Sequence, residues 1–136
     1  ADIVTVMAFA SDKTIEGVAR EAHARGRRVM ADLLGAQDAA AAAQRVRALG
    51  ADIACLHVAV DAQQGQSGPA AAQVAAVSAA CSGMPLAVAG GIRESTARAL
   101  CAAGAEWLIV GGAVCNAPDA RAAAAAIRMA MQGKGL

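Results

Sequence analysis

The sequence predicts an α/β fold built on a parallel sheet, and three observations lead to that prediction. Short apolar runs rich in Val and Ile alternate with Ala-rich stretches of helical character, and the runs show little polar alternation. Parallel strands covered on both faces have this composition. Glycines also stand where the helices should end. The runs assigned as strands are Ile3–Met7, Arg28–Leu34, Asp52–Val58, Leu86–Ala89 and Trp107–Val110.

The segments between these runs carry helix signals. An apolar stripe with i, i+3, i+4, i+7 spacing marks the first helix at Ile15, Val18, Ala19 and Ala22. Ser11 and Asp38 are predicted N-caps, and Asn116 stands just before Pro118 near the start of the last helix. Repeated strand–helix alternation implies right-handed crossovers between parallel strands. The glycines expected in the left-handed position after a helix are Gly26, Gly50, Gly83 and Gly104.

A repeated helix-to-strand junction suggests how the chain relates to a larger barrel. Gly50-Ala51-Asp52-Ile53 matches Gly104-Ala105-Glu106-Trp107, and Ala1-Asp2-Ile3-Val4 is the same junction without its glycine. We therefore expect residues 1–136 to be a single domain, the C-terminal portion of a (β/α)8 TIM barrel. Its five βα units would be strands 4–8, with three units lacking upstream of Ala1. Unpaired sheet edges then predict self-association, with a homodimer as the expected form.

Composition and charge exclude several classes of function. The formal net charge is +1 and the basic residues form no stripe, so nothing favours nucleic acid or a membrane surface. The apolar run Ile3–Met7 is too short to cross a bilayer. Four cysteines without CxxC spacing are expected to be buried, reduced thiols of a cytoplasmic protein. His23 falls on the polar face of a helix and is assigned to the solvated surface.

Two diglycines give the strongest chemical signal. Gly90-Gly91 and Gly111-Gly112 each follow one of the last two strands and precede a helix. Glycine allows close approach of an anion to backbone N–H groups at a helix start, and the loops after strands 7 and 8 are the usual phosphate site of this barrel. The alternative is a pair of tight turns without a ligand. We expect a phosphate site.

Other polar residues at strand ends are candidates for acid–base chemistry. His57 ends its strand and Asp61 and Gln63 follow it, so His57 is either a structural hydrogen-bonding residue or an acid/base over the barrel mouth. Asp32 ends an apolar strand, where a carboxylate needs a polar partner, in a ligand site or in a buried ion pair. We expect no metal site within the chain, because Asp32, His57 and Asp61 lack compact ligand spacing.

These residues resemble a known family. The segments Ala1–Val6, Val29–Leu33, His57-x-x-x-Asp61-x-Gln63, Ala87–Ile92 and Ile109–Ala113 occur in the order seen in 3-hexulose-6-phosphate synthases, of the orotidine monophosphate decarboxylase suprafamily. The resemblance implies a lyase of carbohydrate metabolism, an aldolase of the ribulose monophosphate pathway. It would join formaldehyde to D-ribulose 5-phosphate with Mg²⁺ as cofactor.

The resemblance also implies residue roles. His57 would transfer the proton, Asp61 and Gln63 would order its loop, Asp32 would support the site, and Gly90, Gly91, Gly111 and Gly112 would hold the phosphate. A related 3-keto-L-gulonate-6-phosphate decarboxylase activity typically has Arg where this chain has Val60 and Gly112, so we favour the synthase. The suprafamily's Asp-x-Lys-x-x-Asp signature does not occur in the sequence. Most Mg²⁺ ligands would lie upstream, and the 136 residues alone should be inactive.

Two further readings remain open. The chain could be a non-catalytic phosphate-binding half barrel, which would need no upstream sequence. It could also be an unrelated phosphate-binding barrel, such as a phosphosugar isomerase, in which His57 has no special role.

Overall fold

A computed structural model describes residues 1–58 and 68–133 of the chain. Strands and helices alternate, as predicted. In the described residues the elements are β1 Ile3–Met7, α1 Asp12–His23, β2 Arg28–Asp32, α2 Ala39–Ala48, β3 Ile53–His57, α3 Gly68–Ala80, β4 Leu86–Ala89, α4 Glu94–Ala102, β5 Trp107–Ile109, α5 Gly112–Cys115 and α6 Ala120–Met131.

The five described strands form one sheet in the order β1-β2-β3-β4-β5, and every neighbouring pair is parallel. This confirms the α/β class and the sequential parallel order, and it is consistent with part of a TIM barrel. β2 ends at Asp32 rather than at Leu34, because the chain turns there: the N–H of Ala36 donates to the carbonyl of Leu33 at 3.0 Å. β3 and β5 are also slightly shorter than predicted.

The two faces of the sheet are covered differently. The main core lies on the helix side, where Val29, Leu56 and Val88 pack against the helices with Ile15 and Leu100 fully buried. The opposite face holds a smaller buried cluster of Ile53, Cys55, Ala87 and Ala89, flanked by half-buried Ile3, Met30 and Trp107. On this second face the Arg28 guanidinium lies 5.2 Å from the centroid of the Trp107 ring, a cation–π contact.

Most of the predicted helix signals are confirmed. Ser11 Oγ accepts from Thr14 N at 3.2 Å, and Asp38 Oδ1 accepts from Ala41 N at 2.9 Å. The last helix begins later than Asn116 suggested: its N-cap is Asp119, whose Oδ1 accepts from Ala122 N at 2.9 Å. All four glycines expected after helices have positive φ, from 65° at Gly26 to 112° at Gly104.

One expectation about the surface needs correction. All four cysteines are free, but only Cys55 and Cys81 are buried; Cys101 is half-buried and Cys115 is exposed. Cys115 lies on the short helix α5, which the sequence analysis did not foresee. His23 is exposed as expected, yet its Nε2 lies 2.8 Å from Asp52 Oδ2, which also accepts from Val29 N. Among the described residues, no helix combines the length and apolar character needed to cross a bilayer.

Candidate active site at the carboxyl edge of the sheet

A histidine and a carboxylate meet at the carboxyl ends of β2 and β3. His57 Nδ1 lies 2.9 Å from Asp32 Oδ1, although the two residues are 25 positions apart. The sheet explains this contact: Asp32 pairs in register with Cys55, and His57 is two residues further along on the same face. Asp32 therefore has the polar partner that its place in an apolar strand required.

The hydrogen bond fixes the orientation of the imidazole. An ionised carboxylate only accepts, so Nδ1–H donates to Asp32 and the lone pair of Nε2 remains for chemistry. The Asp32 side chain is 16% exposed and that of His57 is 33% exposed. Leu34 N also donates to Asp32 Oδ1, at 2.9 Å, and holds the carboxylate in place. A His oriented by a carboxylate in this way can act as a general acid or base.

Cys55 is the third side chain at this position. Burial, followed by the neighbouring charge of Asp32, raises the pKa of the Cys55 thiol to about 11, so it is neutral at physiological pH. From the sequence alone, Cys55 is predicted only to be a buried thiol. The signal that could have found it is its position two residues before His57, on the same strand face.

These three side chains also correct the argument from ligand spacing. Donor atoms of Asp32, Cys55 and His57 all lie within 4.8 Å of one another. Linear spacing did not reveal the group, because its members come from two strands that only the sheet brings together.

Residues of both diglycines line one cleft. Gly91, Gly111 and Gly112 line a cleft of about 490 Å³ together with Arg93, Asn116 and other residues of α4, α5 and α6. His57 pairs in register with Ala89, the residue directly before Gly90. The histidine therefore lies beside the start of the Gly90-Gly91 loop, which follows the adjacent strand. The cleft and the Asp32–His57 pair therefore share one edge of the sheet.

The glycines have distinct local roles. Gly90 has φ +101°, and a Cβ there would collide with the Val58 carbonyl oxygen, so this glycine permits the close packing of two loops. Gly112 has no positive φ, and a Cβ there would be 3.4 Å from Asn116 Nδ2. The structure thus accommodates a Cβ at Gly112.

Arg93 is the cationic residue of the cleft, and the sequence alone did not single it out. It stands two positions after Gly91 and directly before α4, with its side chain exposed. Its backbone is fixed, since Arg93 N donates to Thr96 Oγ1 and Thr96 Oγ1 donates to Arg93 O, both at 3.1 Å. The available signal in the sequence was a basic residue two positions after the Gly90-Gly91 pair. Arg93 supplies positive charge at the cleft, which the neighbouring Glu94 also lines.

A second arginine holds the loop after β1 at this edge. Arg45 on α2 donates through Nη1 to Ala8 O at 2.6 Å and through Nη2 to Ala10 O at 3.0 Å. It also pairs with the Asp12 carboxylate. This loop presents Phe9, which is 77% exposed. Arg45 thus orders a part of the edge that neither diglycine reaches.

Two predicted site residues, Asp61 and Gln63, lie outside the described residues. Mg²⁺ can be tested against the donors that are described. Of the carboxylates in residues 1–58 and 68–133, only Asp32 lies within a strand, and its Oδ1 already accepts two hydrogen bonds. Its neighbours offer nitrogen and sulfur, whereas Mg²⁺ takes oxygen ligands. These residues alone do not fit Mg²⁺.

The chain has a parallel sheet with a His–carboxylate pair and a glycine-lined cleft at its carboxyl edge. These features define the class of α/β proteins that bind ligands beyond the carboxyl ends of their strands. The comparisons with known proteins refine this class. The chain belongs to the orotidine 5′-phosphate decarboxylase / HUMPS family, whose profile matches residues 1–127.

Individual relatives agree with the resemblance seen in the sequence. The 3-hexulose-6-phosphate synthase of Mycobacterium gastri is 40% identical over 131 residues, covering 96% of this chain and 62% of that protein. The 3-hexulose-6-phosphate synthase 1 of Staphylococcus saprophyticus is 36% identical over 135 residues, covering 98% and 63%. A crystal structure of a 3-hexulose-6-phosphate synthase superposes with a TM-score of 0.82 at 39% identity, covering 96% and 62%. The chain therefore spans less than two thirds of these relatives.

Proposed function

We propose that this chain forms the phosphate-binding and proton-transfer part of a 3-hexulose-6-phosphate synthase, an aldolase that joins formaldehyde to D-ribulose 5-phosphate. The observation that carries the proposal is the 2.9 Å contact between His57 and Asp32, directly before the Gly90-Gly91 loop. It occurs in a chain 40% identical to a protein named for this activity.

The architecture follows from the same reasoning. The described sheet has one well-covered face and one face that is only partly covered. Five sequential parallel strands fit strands 4–8 of a (β/α)8 barrel, with residues 1–136 as one domain and three further βα units upstream. The chain covers 62% and 63% of two relatives, which is close to five units out of eight. We further propose a cytoplasmic homodimer, in which the unpaired sheet edges are covered.

The phosphate of ribulose 5-phosphate would lie in the glycine-lined cleft. Backbone N–H groups around Gly91, Gly111 and Gly112 would donate to its oxygens, and the Arg93 guanidinium would add charge-assisted hydrogen bonds. Gly90 would contribute by holding the loop against Val58. The sugar chain would then extend toward the strand that ends in His57.

His57 would then move the proton. Its Nε2 would remove the proton from C1 of the ketose phosphate, while Nδ1–H stays bound to Asp32. The C1 carbon would form the new bond to the carbon of formaldehyde, whose oxygen takes up a proton. Asp32 would stabilise the protonated imidazole, and Asp61 and Gln63 would order the loop after His57. Mg²⁺, which the resemblance implies, would need ligands from outside the described residues.

A chimera tests the proposal. The part of the Mycobacterium gastri synthase that this chain does not match, proposed to be its first three βα units, would be placed before Ala1. The chimera should consume formaldehyde when given ribulose 5-phosphate and Mg²⁺, and the 136-residue chain alone should not. A folded chimera that binds ribulose 5-phosphate without consuming formaldehyde would refute the synthase. Decarboxylation of 3-keto-L-gulonate 6-phosphate by the chimera would instead assign the alternative activity.

A further inference from the structure

The proposed reaction uses Asp32 and His57 but gives no role to Cys55, which lies against both. The three side chains offer one oxygen, one sulfur and one nitrogen donor within 4.8 Å of one another. We propose that Asp32, Cys55 and His57 form a binding site for a divalent cation of the Zn²⁺ type. This inference does not rest on the proposed reaction.

The sheet positions the three donors for a common ligand. Asp32 and Cys55 are register partners on β2 and β3, and His57 follows Cys55 on the same face. Leu34 N holds the Asp32 carboxylate at 2.9 Å, and His57 Nδ1 already points at that carboxylate. An ion between them would replace the proton that Nδ1 and Oδ1 now share. Since all three donor atoms lie within 4.8 Å of one another, small side-chain rotations would bring them around one ion.

Donor chemistry selects the class of ion. A thiolate and an imidazole are preferred ligands of Zn²⁺ and related transition metals, whereas Mg²⁺ and Ca²⁺ take oxygen. Three protein ligands with one open position are the arrangement of Zn²⁺ sites that bind a further small ligand. The open position would face the edge of the sheet, where His57 is 33% exposed.

Charge balance also favours a dication here. Binding would release the Cys55 thiol proton to solvent and move the His57 proton from Nδ1 to Nε2. The Asp32 carboxylate and the Cys55 thiolate would then neutralise one Zn²⁺, with His57 neutral. A neutral cluster suits a site next to the apolar Ile53, Ala87 and Ala89, where an uncompensated charge would be costly. A bound ion would take up His57, so the ion and the proposed proton transfer exclude each other.

The test titrates the 136-residue chain with Co²⁺, a Zn²⁺ substitute whose thiolate bond gives a charge-transfer band in the near ultraviolet. We expect the band to form, to survive excess Mg²⁺, and to vanish when Zn²⁺ displaces Co²⁺. Cys55→Ser and His57→Ala should abolish the band and weaken Zn²⁺ binding by more than the about 10- to 100-fold that outer-shell changes cost. Asp32→Asn, which keeps the side-chain shape, should weaken Zn²⁺ binding in the same direction.

Two matched variants serve as controls. Cys115→Ser removes an exposed thiol and His23→Ala removes the other histidine of the chain. Both should keep the Co²⁺ band. Absence of the band in the unaltered chain would overturn the proposal, and so would its survival in Cys55→Ser or its loss in Cys115→Ser. Circular dichroism confirms that each variant is folded; if Cys55→Ser is not, Asp32→Asn and His57→Ala decide. Phosphate binding in the glycine-lined cleft is unaffected by any of these outcomes.

Discussion

Gly112 borders the cleft in which the phosphate is proposed to bind, and it offers the sharpest test of that site. Its φ is not positive, and the nearest atom to an added Cβ is Asn116 Nδ2 at 3.4 Å. An added Cβ therefore strains neither the backbone nor the packing. Replacing Gly112 by Asp would place a carboxylate beside the anion, and replacing it by Asn would add the same bulk without charge.

The size of the effect follows from Coulomb's law. Two unit charges about 4 Å apart in a solvent-exposed setting interact by about 1 kcal/mol. Gly112 is exposed, so this lower value applies, and a phosphate ester dianion doubles it to about 2 kcal/mol. We therefore expect Gly112→Asp to bind ribulose 5-phosphate about 30-fold more weakly than Gly112→Asn. Both should bind more weakly than the unaltered chain because of the added bulk.

Isothermal calorimetry on the 136-residue chain is the assay, since the described residues alone line the cleft. Ribulose without its phosphate is the ligand control, and it should not distinguish the two variants. Raising the salt to about 1 M shortens the screening length to about 3 Å and should narrow the difference between Asp and Asn. Equal affinities of the two variants for ribulose 5-phosphate at low salt would refute a phosphate site at Gly112.

Four further predictions concern the strand-end pair, the thiols and association. In the active chimera, His57→Ala should lower turnover by ~10²–10⁴, the range for a lost acid–base group, and unchanged turnover would remove that role from His57. Asp32→Asn should lower kcat in the chimera, because the imidazole loses the carboxylate that orients it, and an unchanged kcat would contradict the pairing. Because the pKa of the Cys55 thiol is raised to about 11, its thiolate forms only as the pH rises toward that value. Alkylation at neutral pH, followed by mass spectrometry, should therefore label the exposed Cys115 first. Preferential labelling of Cys55 would contradict this. Sedimentation of the 136-residue chain should show self-association, whereas a monomer at high micromolar concentration would count against uncovered sheet edges.

The fold could be predicted largely because each of its signals is local. Val- and Ile-rich runs mark the strands, and Gly26, Gly50, Gly83 and Gly104 mark helix ends through a backbone conformation that glycine adopts at low cost. Errors arose where two local signals competed. Asn116 and Asp119 both precede the last helix, and only the structure shows that Asp119 caps it while Asn116 ends α5.

The site could be predicted as a set of strand ends but not as a set of contacts. Sheet order alone places Asp32 beside the strand of His57, yet the 2.9 Å contact depends on register and rotamer. Cys55 was overlooked because cysteine in an apolar strand is ordinarily a core residue. Arg93 was overlooked because an arginine before a helix is ordinarily a solvated residue. In both cases the neighbouring elements, rather than the residue type, give the side chain its place in the site.

The residues proposed to bind the phosphate and the pair proposed to transfer the proton lie on different βα units of the chain. The cleft is lined by α4, α5 and α6 with their preceding loops, so the last two βα units contain every described residue that the phosphate would contact. The Asp32–His57 pair lies one and two strands away, at a part of the sheet whose second face is only partly covered by the described residues. Removal of the C1 proton would give an enediolate, whose developing oxyanion needs stabilisation in addition to a base. The described carboxylates at the strand ends do not supply a Mg²⁺ site for this purpose. The chain should therefore hold a phosphate ester without converting it, and calorimetry that shows binding, combined with an assay that shows no formaldehyde consumption, is the result expected of the 136 residues.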